Sequence, residues 1–127
     1  MYENLWIERD GEPVRARTPE EVREAQGLFA DGDARIVWKT KRGDIEVSTV
    51  FLVLDHSHHG DGSALYETMS FGWHYEYQRR YATRREAIAG HKDILREMRI
   101  EDYPPPQPWE KPVEQDIDRM GLLFDVE

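Results

Sequence analysis

The stretch Ile45-Glu46-Val47-Ser48-Thr49-Val50-Phe51-Leu52-Val53-Leu54 decides how this chain folds. Ile45, Val47, Thr49, Phe51 and Val53 alternate on one side, which is the period of a β-strand. Val50, Leu52 and Leu54 add apolar side chains to the other side. A strand that is apolar on both sides at one end belongs in the middle of a sheet. Working backwards, Lys41-Arg42-Gly43-Asp44 is a turn, and Ala34 to Lys39, carrying Ile36, Val37 and Trp38, is the partner strand of a hairpin. Working forwards, Leu65 to Phe71 is the next strand, and its alternation sets Leu65, Glu67, Met69 and Phe71 on one face, expected to be the core face. Tyr75 to Tyr81 adds a further strand. The strands 34–40, 45–55 and 65–71 are expected as antiparallel neighbours.

Two helices flank this block. Thr18-Pro19-Glu20-Glu21 opens the first, with a capping threonine, a proline in the first turn and a glutamate three residues after the cap. Val22, Ala25, Leu28 and Phe29 give it one apolar face. Thr83-Arg84-Arg85-Glu86 opens the second in the same way, and Ala87, Ile88, His91, Ile94, Leu95 and Met98 form its inner stripe. It is expected to pack on the sheet face bearing Phe51 and Met69. Gly90 in mid-helix costs about 1 kcal/mol against alanine, which predicts a close neighbour that needs the space. Ahead of both, Leu5-Trp6-Ile7, the turn pair Asp10-Gly11 and Val14 read as a short hairpin.

The fold class is therefore α+β: a mostly antiparallel sheet of three to five strands with two helices, in one domain over residues 1–100. Residues 101–127 are a connector and a tail. Tyr103-Pro104-Pro105-Pro106-Gln107-Pro108-Trp109 is an extended polyproline-type spacer. The chain carries 17 Lys and Arg against 26 Asp and Glu, for a net charge of -9. Residues 100–127 hold eight of the acids and two of the bases, so acidity concentrates in the tail. Such a charge opposes general nucleic-acid binding. There is no cysteine, which excludes disulfides and thiolate-metal sites. No apolar run is long enough to cross a membrane, and Met1 to Asp10 lacks the pattern of a secretory signal, so a cytoplasmic location is expected.

The blocks Val47-Ser48-Thr49-Val50-Phe51-Leu52-Val53-Leu54-Asp55-His56, Leu65-Tyr66-Glu67-Thr68-Met69-Ser70-Phe71-Gly72, Arg80-Tyr81-Ala82-Thr83 and Ala89-Gly90-His91 resemble a group of small uncharacterised proteins of tailed phages and prophages. The resemblance spans roughly residues 5–98. It implies a phage-encoded protein working in the cytoplasm of a bacterial host, and it implies no activity.

Four constellations could carry chemistry. The loop His56-Ser57-His58-His59-Gly60-Asp61-Gly62 offers His56, His58, His59 and Asp61 as metal ligands, although an exposed glycine-rich turn is the simpler reading and no bound metal or other cofactor is expected. Glu67, placed inward by alternation, could act as a general base with His56 and His91, or serve in a structural hydrogen-bond network with His56, Tyr81, Arg80 or His91. Arg85, Lys92, Arg96 and Arg99 make a basic stripe on the second helix, preceded by Arg79, Arg80 and Arg84 and by Trp73, Tyr75 and Tyr77. Such a stripe could hold a nucleotide or single strand, lie solvated, or receive the acidic tail. Finally, Trp109, Leu122, Leu123 and Phe124 lead an apolar set on the tail that is expected to dock, with Trp109 and Phe124 as anchors. The function expected from these readings is protein–protein binding, to a host or defence factor or to a second copy as a homodimer through the tail. A small metal- or carboxylate-dependent hydrolase is the alternative. Strand or nucleotide binding at the basic helix is a weaker one.

Overall fold

In the computed structural model, residues 4–57, 61–72 and 76–100 are described, together with the backbone of 113–116. Strands β1 (Trp6–Arg9) and β2 (Glu12–Arg15) form a hairpin closed by Asp10-Gly11, both at positive φ, as the tight two-residue turn demands. Helix α1 (Pro19–Ala30) follows, with Thr18 and Glu21 exchanging the two bonds of a full capping box. Asp33–Arg35 makes one 3-10 turn. Then come β3 (Ile36–Arg42), β4 (Ile45–Phe51), β5 (Tyr66–Phe71), β6 (Gln78–Tyr81), α2 (Arg84–Glu97) and β7 (Val113–Asp116).

The main sheet runs in the order β6-β5-β4-β3-β7. β3, β4, β5 and β6 are antiparallel neighbours, and β4 lies in the middle of the sheet as expected, although Leu52 and Leu54, two of the residues that suggested a strand covered on both sides, fall beyond its end at Phe51. β7, from the tail segment, lies along the outer edge of β3 and runs parallel to it, with Val113 beside Trp38 and Asp116 beside Lys41.

The expected long strand over 45–55 ends early, at Phe51. Val53 takes φ 69°, a left-handed conformation that a β-branched residue adopts at a cost of about 1–3 kcal/mol. The turn redirects the chain from the main sheet to the first hairpin. The Trp6 amide donates to the Val53 carbonyl at 2.8 Å, and Leu5 pairs with Leu54. One strand thus joins the two sheets and places Ile7, Ala25, Val53, Phe51 and Leu95 in one core. Of these, the fully buried Ile7, Val53, Phe51 and Leu95 each contribute about 1.5–3 kcal/mol.

Helix α2 lies on the face bearing Val47, Thr49, Phe51, Tyr66 and Thr68. It buries Ala87, Ile88, His91, Ile94 and Leu95 there. The expectation that Phe51 and Met69 share this face is corrected by the register. Phe51 pairs with Tyr66, and Thr49 with Thr68, so Met69 falls on the opposite side. The helix ends in a Schellman motif: Ile100 donates to Leu95 and Arg99 to Arg96, with Arg99 at φ 58° where glycine is usual. Gly90 is explained by contact. A Cβ there would meet the Tyr81 ring at 2.3 Å and its hydroxyl closer still.

Candidate functional site

Beneath α2, the sheet buries polar groups at core positions. The His91 ring is fully buried and stacks on Trp38, with centroids 4.0 Å apart and planes within 10°. Its Nε2 meets the Thr40 hydroxyl at 3.0 Å, and its Nδ1 meets the Thr49 hydroxyl at 2.7 Å. Thr49 in turn bonds the Thr68 hydroxyl. A neutral imidazole has one donor and one acceptor nitrogen, so this arrangement satisfies both. Burial holds the ring neutral and pushes its pKa down to about 3. The expectation of a bond between His91 and Glu67 is corrected: the histidine's partners are Thr40 and Thr49 on the adjacent strands β3 and β4, and Thr49 passes the chain on to Thr68 of β5.

Glu67 sits on the other face, the one that no described helix covers. Its carboxylate accepts from Arg80 Nε and Gln78 Nε2, both at 2.9 Å, across the β5–β6 pair. It is nearly buried, at 9% exposure, as the inward reading expected, but on the opposite side from the one expected and without His56, Tyr81 or His91. The physical reason is a one-residue parity: Thr68, not Glu67, meets Thr49 and the helix. The acid–base set Glu67, His56 and His91 is therefore not assembled. Glu67 and His91 are separated by the sheet, and His56 is exposed on the loop after β4.

That loop is organised by its aspartates. Asp55 accepts from the amides of Ser57 at 2.9 Å and Gly62 at 2.7 Å. Its burial works to raise its pKa, but these donors prevail and hold it below the usual carboxylate range. Asp61 accepts from Ser63, whose hydroxyl and amide hold its carboxyl low. Both carboxylates are thus engaged in shaping the turn. His58 and His59 lie outside the described residues. Among the described residues, no three histidine or acidic side chains are grouped as a metal would need.

A second buried ionic group joins the two sheets. Arg84 donates through Nη1 to both Glu8 oxygens, at 2.9 and 3.0 Å, and the Tyr66 hydroxyl donates to Glu8 at 2.6 Å. Burial first, and then the Glu8 charge, raise the Tyr66 pKa. Sequence reasoning missed this group. Its one signal was an arginine in the first turn of a helix, where a positive charge is unfavourable unless a carboxylate meets it.

The basic stripe is only partly a stripe. Arg85, Arg96 and Arg99 are exposed, and Lys92 is half-buried. Arg96 faces Asp93 at 3.8 Å. Arg79 pairs with Glu97 at 3.2 Å and lies over the Tyr77 ring, while Arg84 is drawn inside by Glu8. Trp73 and Tyr75 lie outside the described residues, as do Trp109, Leu122, Leu123 and Phe124. What is described of the tail, β7, runs along β3 rather than along α2.

The helix-free face is the remaining surface. From β3 to β6 it presents Lys39 and Lys41, then Glu46, Ser48 and Val50, then Glu67, Met69 and Phe71, then Gln78 and Arg80. Phe71 is 48% exposed, and Val50 and Met69 are half-buried. Lys39 faces Glu46 at 3.7 Å, and Arg80 holds Glu67, so ion pairs border a small apolar centre.

No family model, no curated protein and no solved structure matches this chain. No described helix is long and apolar enough to cross a membrane.

Proposed function

We propose that this chain is a small non-enzymatic accessory protein, of the phage-encoded kind its central block resembles. It acts in the host cytoplasm by binding another protein through the helix-free face of its sheet. One observation carries the reading. Phe71, a large apolar side chain, stands half exposed, with the half-buried Met69 next to it on the same face of β5 and the Lys39–Glu46 and Arg80–Glu67 pairs on the neighbouring positions of that face. An apolar centre with a polar rim is the anatomy of a protein interface. The separation of Glu67 from His91 by the sheet supports a binding role over the hydrolase alternative.

The test uses two exposed phenylalanines. Full-length protein is compared with Phe71→Asp and with Phe29→Asp, which alters an exposed ring on α1. The reading expects a protein captured from bacterial host lysate by the wild type and by Phe29→Asp, and lost with Phe71→Asp. Equal capture by all three, or capture by none, would refute it.

A further inference from the structure

The outer edge of β3 selects its neighbour without help from a turn. β3, β4, β5 and β6 follow one another in the chain and pair antiparallel, so their connections bring each to the next. β7 comes after α2 and runs parallel to β3. A parallel pair has no hairpin turn to set it, so backbone pairing and the residues in register select the strand. β7 is also held on one side only. Among the described elements its one extensive neighbour is β3. It lies on the edge as a bound peptide does in β-strand addition.

The register shows what the edge reads. Trp38, Lys39, Thr40 and Lys41 stand beside Val113, Glu114, Gln115 and Asp116. Trp38 and Thr40 are buried beneath α2, where both meet His91. Lys39, half-buried, and Lys41, exposed, belong to the helix-free face. The acids of β7 thus fall at the two lysine positions and its uncharged residues at the two buried ones. Opposite charges at paired positions stabilise a sheet, and like charges there destabilise it. Lysines on an edge ordinarily keep further strands away. Here they make the edge selective for an acidic strand, and they fix its register, because a slip of one residue sets the acids beside the buried Trp38 and Thr40. The described β7 spans four of the seven residues of β3, so a longer segment of the same pattern has further backbone to pair with.

We propose that the outer edge of β3 is a strand-accepting site for an extended segment of another protein with acidic residues at alternate positions, and that β7 is the occupant the chain itself supplies. The partner strand pairs in parallel with Trp38–Lys41, sets its acids at Lys39 and Lys41, and replaces β7. As partner recognition this rests on the binding role proposed above, whose face carries the same two lysines, but acceptance of an acidic strand does not depend on that role.

The test follows the backbone amides of Trp38–Lys41 by NMR in full-length protein. The probe is a synthetic peptide with capped ends and the sequence of residues 112–117, Pro-Val-Glu-Gln-Asp-Ile. Its control carries lysine at the two acidic positions. Glu114→Lys/Asp116→Lys mismatches β7 with the lysines of β3 and so opens the edge. This chain is expected to bind the acidic peptide about tenfold more tightly than the wild type does, because in the wild type β7 competes at the high effective concentration of a tethered segment. The control peptide is expected to bind the opened chain at least about tenfold more weakly than the acidic one. Asp116→Lys alone falls between the opened chain and the wild type, a measurement that stands if the double variant does not fold. No shift at Trp38–Lys41, equal affinity for the two peptides, equal affinity of the three chains for the acidic peptide, or unfolding of both variants would overturn the proposal. Dimerisation of the wild type that moves the same amides without peptide would assign the edge to a second copy and overturn it too. Peptide exchange where lysate capture fails keeps the acceptor edge and rejects the binding role, and capture without exchange does the reverse.

Discussion

The contact between Gly90 and Tyr81 makes a prediction whose sign reverses. Gly90 lies within α2, where alanine is preferred by about 1 kcal/mol. On propensity alone, Gly90→Ala stabilises the protein. The structure opposes this, because the new methyl carbon would sit 2.0 Å from the Tyr81 hydroxyl oxygen, 2.3 Å from Cζ and 2.5 Å from Cε1. The contact runs along a rigid ring, so the whole side chain or the helix must shift by more than an ångström. Overpacking of this kind costs about 1–3 kcal/mol. The two effects sum to a net loss of roughly 1 kcal/mol, with the sign set by the clash. In a Tyr81→Ala background the obstacle is gone, and the same substitution becomes stabilising by about 1 kcal/mol. Urea unfolding of the wild type, both single variants and the double variant closes the cycle. The coupling between the two positions is expected at about 2 kcal/mol. If Gly90→Ala stabilises the wild type, or its effect is the same with and without Tyr81, the helix does not approach β6 as described.

Two buried groups and one helix end give three further outcomes. His91, neutral with its pKa lowered to about 3, binds its proton more weakly folded than unfolded, so its contribution to stability is full above the unfolded value near 6.5 and declines as pH falls toward 3; urea titration should show a loss of about 1.5–2 kcal/mol between pH 6.5 and 5 that a His91→Leu variant lacks. Glu8→Gln removes the Glu8 charge from beside the buried Arg84 and should lower the unfolding free energy, by less than the about 3–5 kcal/mol of a fully buried broken pair because Glu8 is partly exposed, with Glu8→Gln/Arg84→Met recovering part of the loss in the same urea titration. Arg99→Gly relieves a left-handed residue in the Schellman turn and should raise the thermal midpoint, for a gain of about 0.5–1 kcal/mol; an unchanged or lower midpoint would contradict the turn geometry.

Much of the architecture was legible because it is specified locally. Thr18 with Glu21, Asp10-Gly11 and Gly43-Asp44 act over a few residues, and each needs only its own backbone to express its preference. The alternation in Ile45 to Phe51 likewise predicted a strand with one buried face, while Leu52 and Leu54, which suggested burial on the other face as well, fall beyond its end. Gly90 signalled a close neighbour by being a poor helix residue in mid-helix. Its partner Tyr81 could not be named, because that contact depends on how α2 sits over β6.

The tertiary structure decided everything that turns on which neighbour a strand acquires. Glu67 was read as inward from its apolar companions Leu65, Met69 and Phe71, yet a strand has two faces and alternation alone does not say which one the helix covers. Pairing Thr49 with Thr68 sent Thr68 to the helix and Glu67 to Arg80. The same register separated Glu67 from His91 and dissolved the acid–base set that strand alternation and helical spacing suggested. Glu8 and Arg84 lie far apart along the chain, and they met only because Val53 turned the strand out of the sheet and onto the first hairpin. Side-chain type and short-range spacing therefore determined the elements and their ends. The surface available for function was determined by long-range pairing, because burial and charge neutralisation are properties of neighbours that the chain order does not contain.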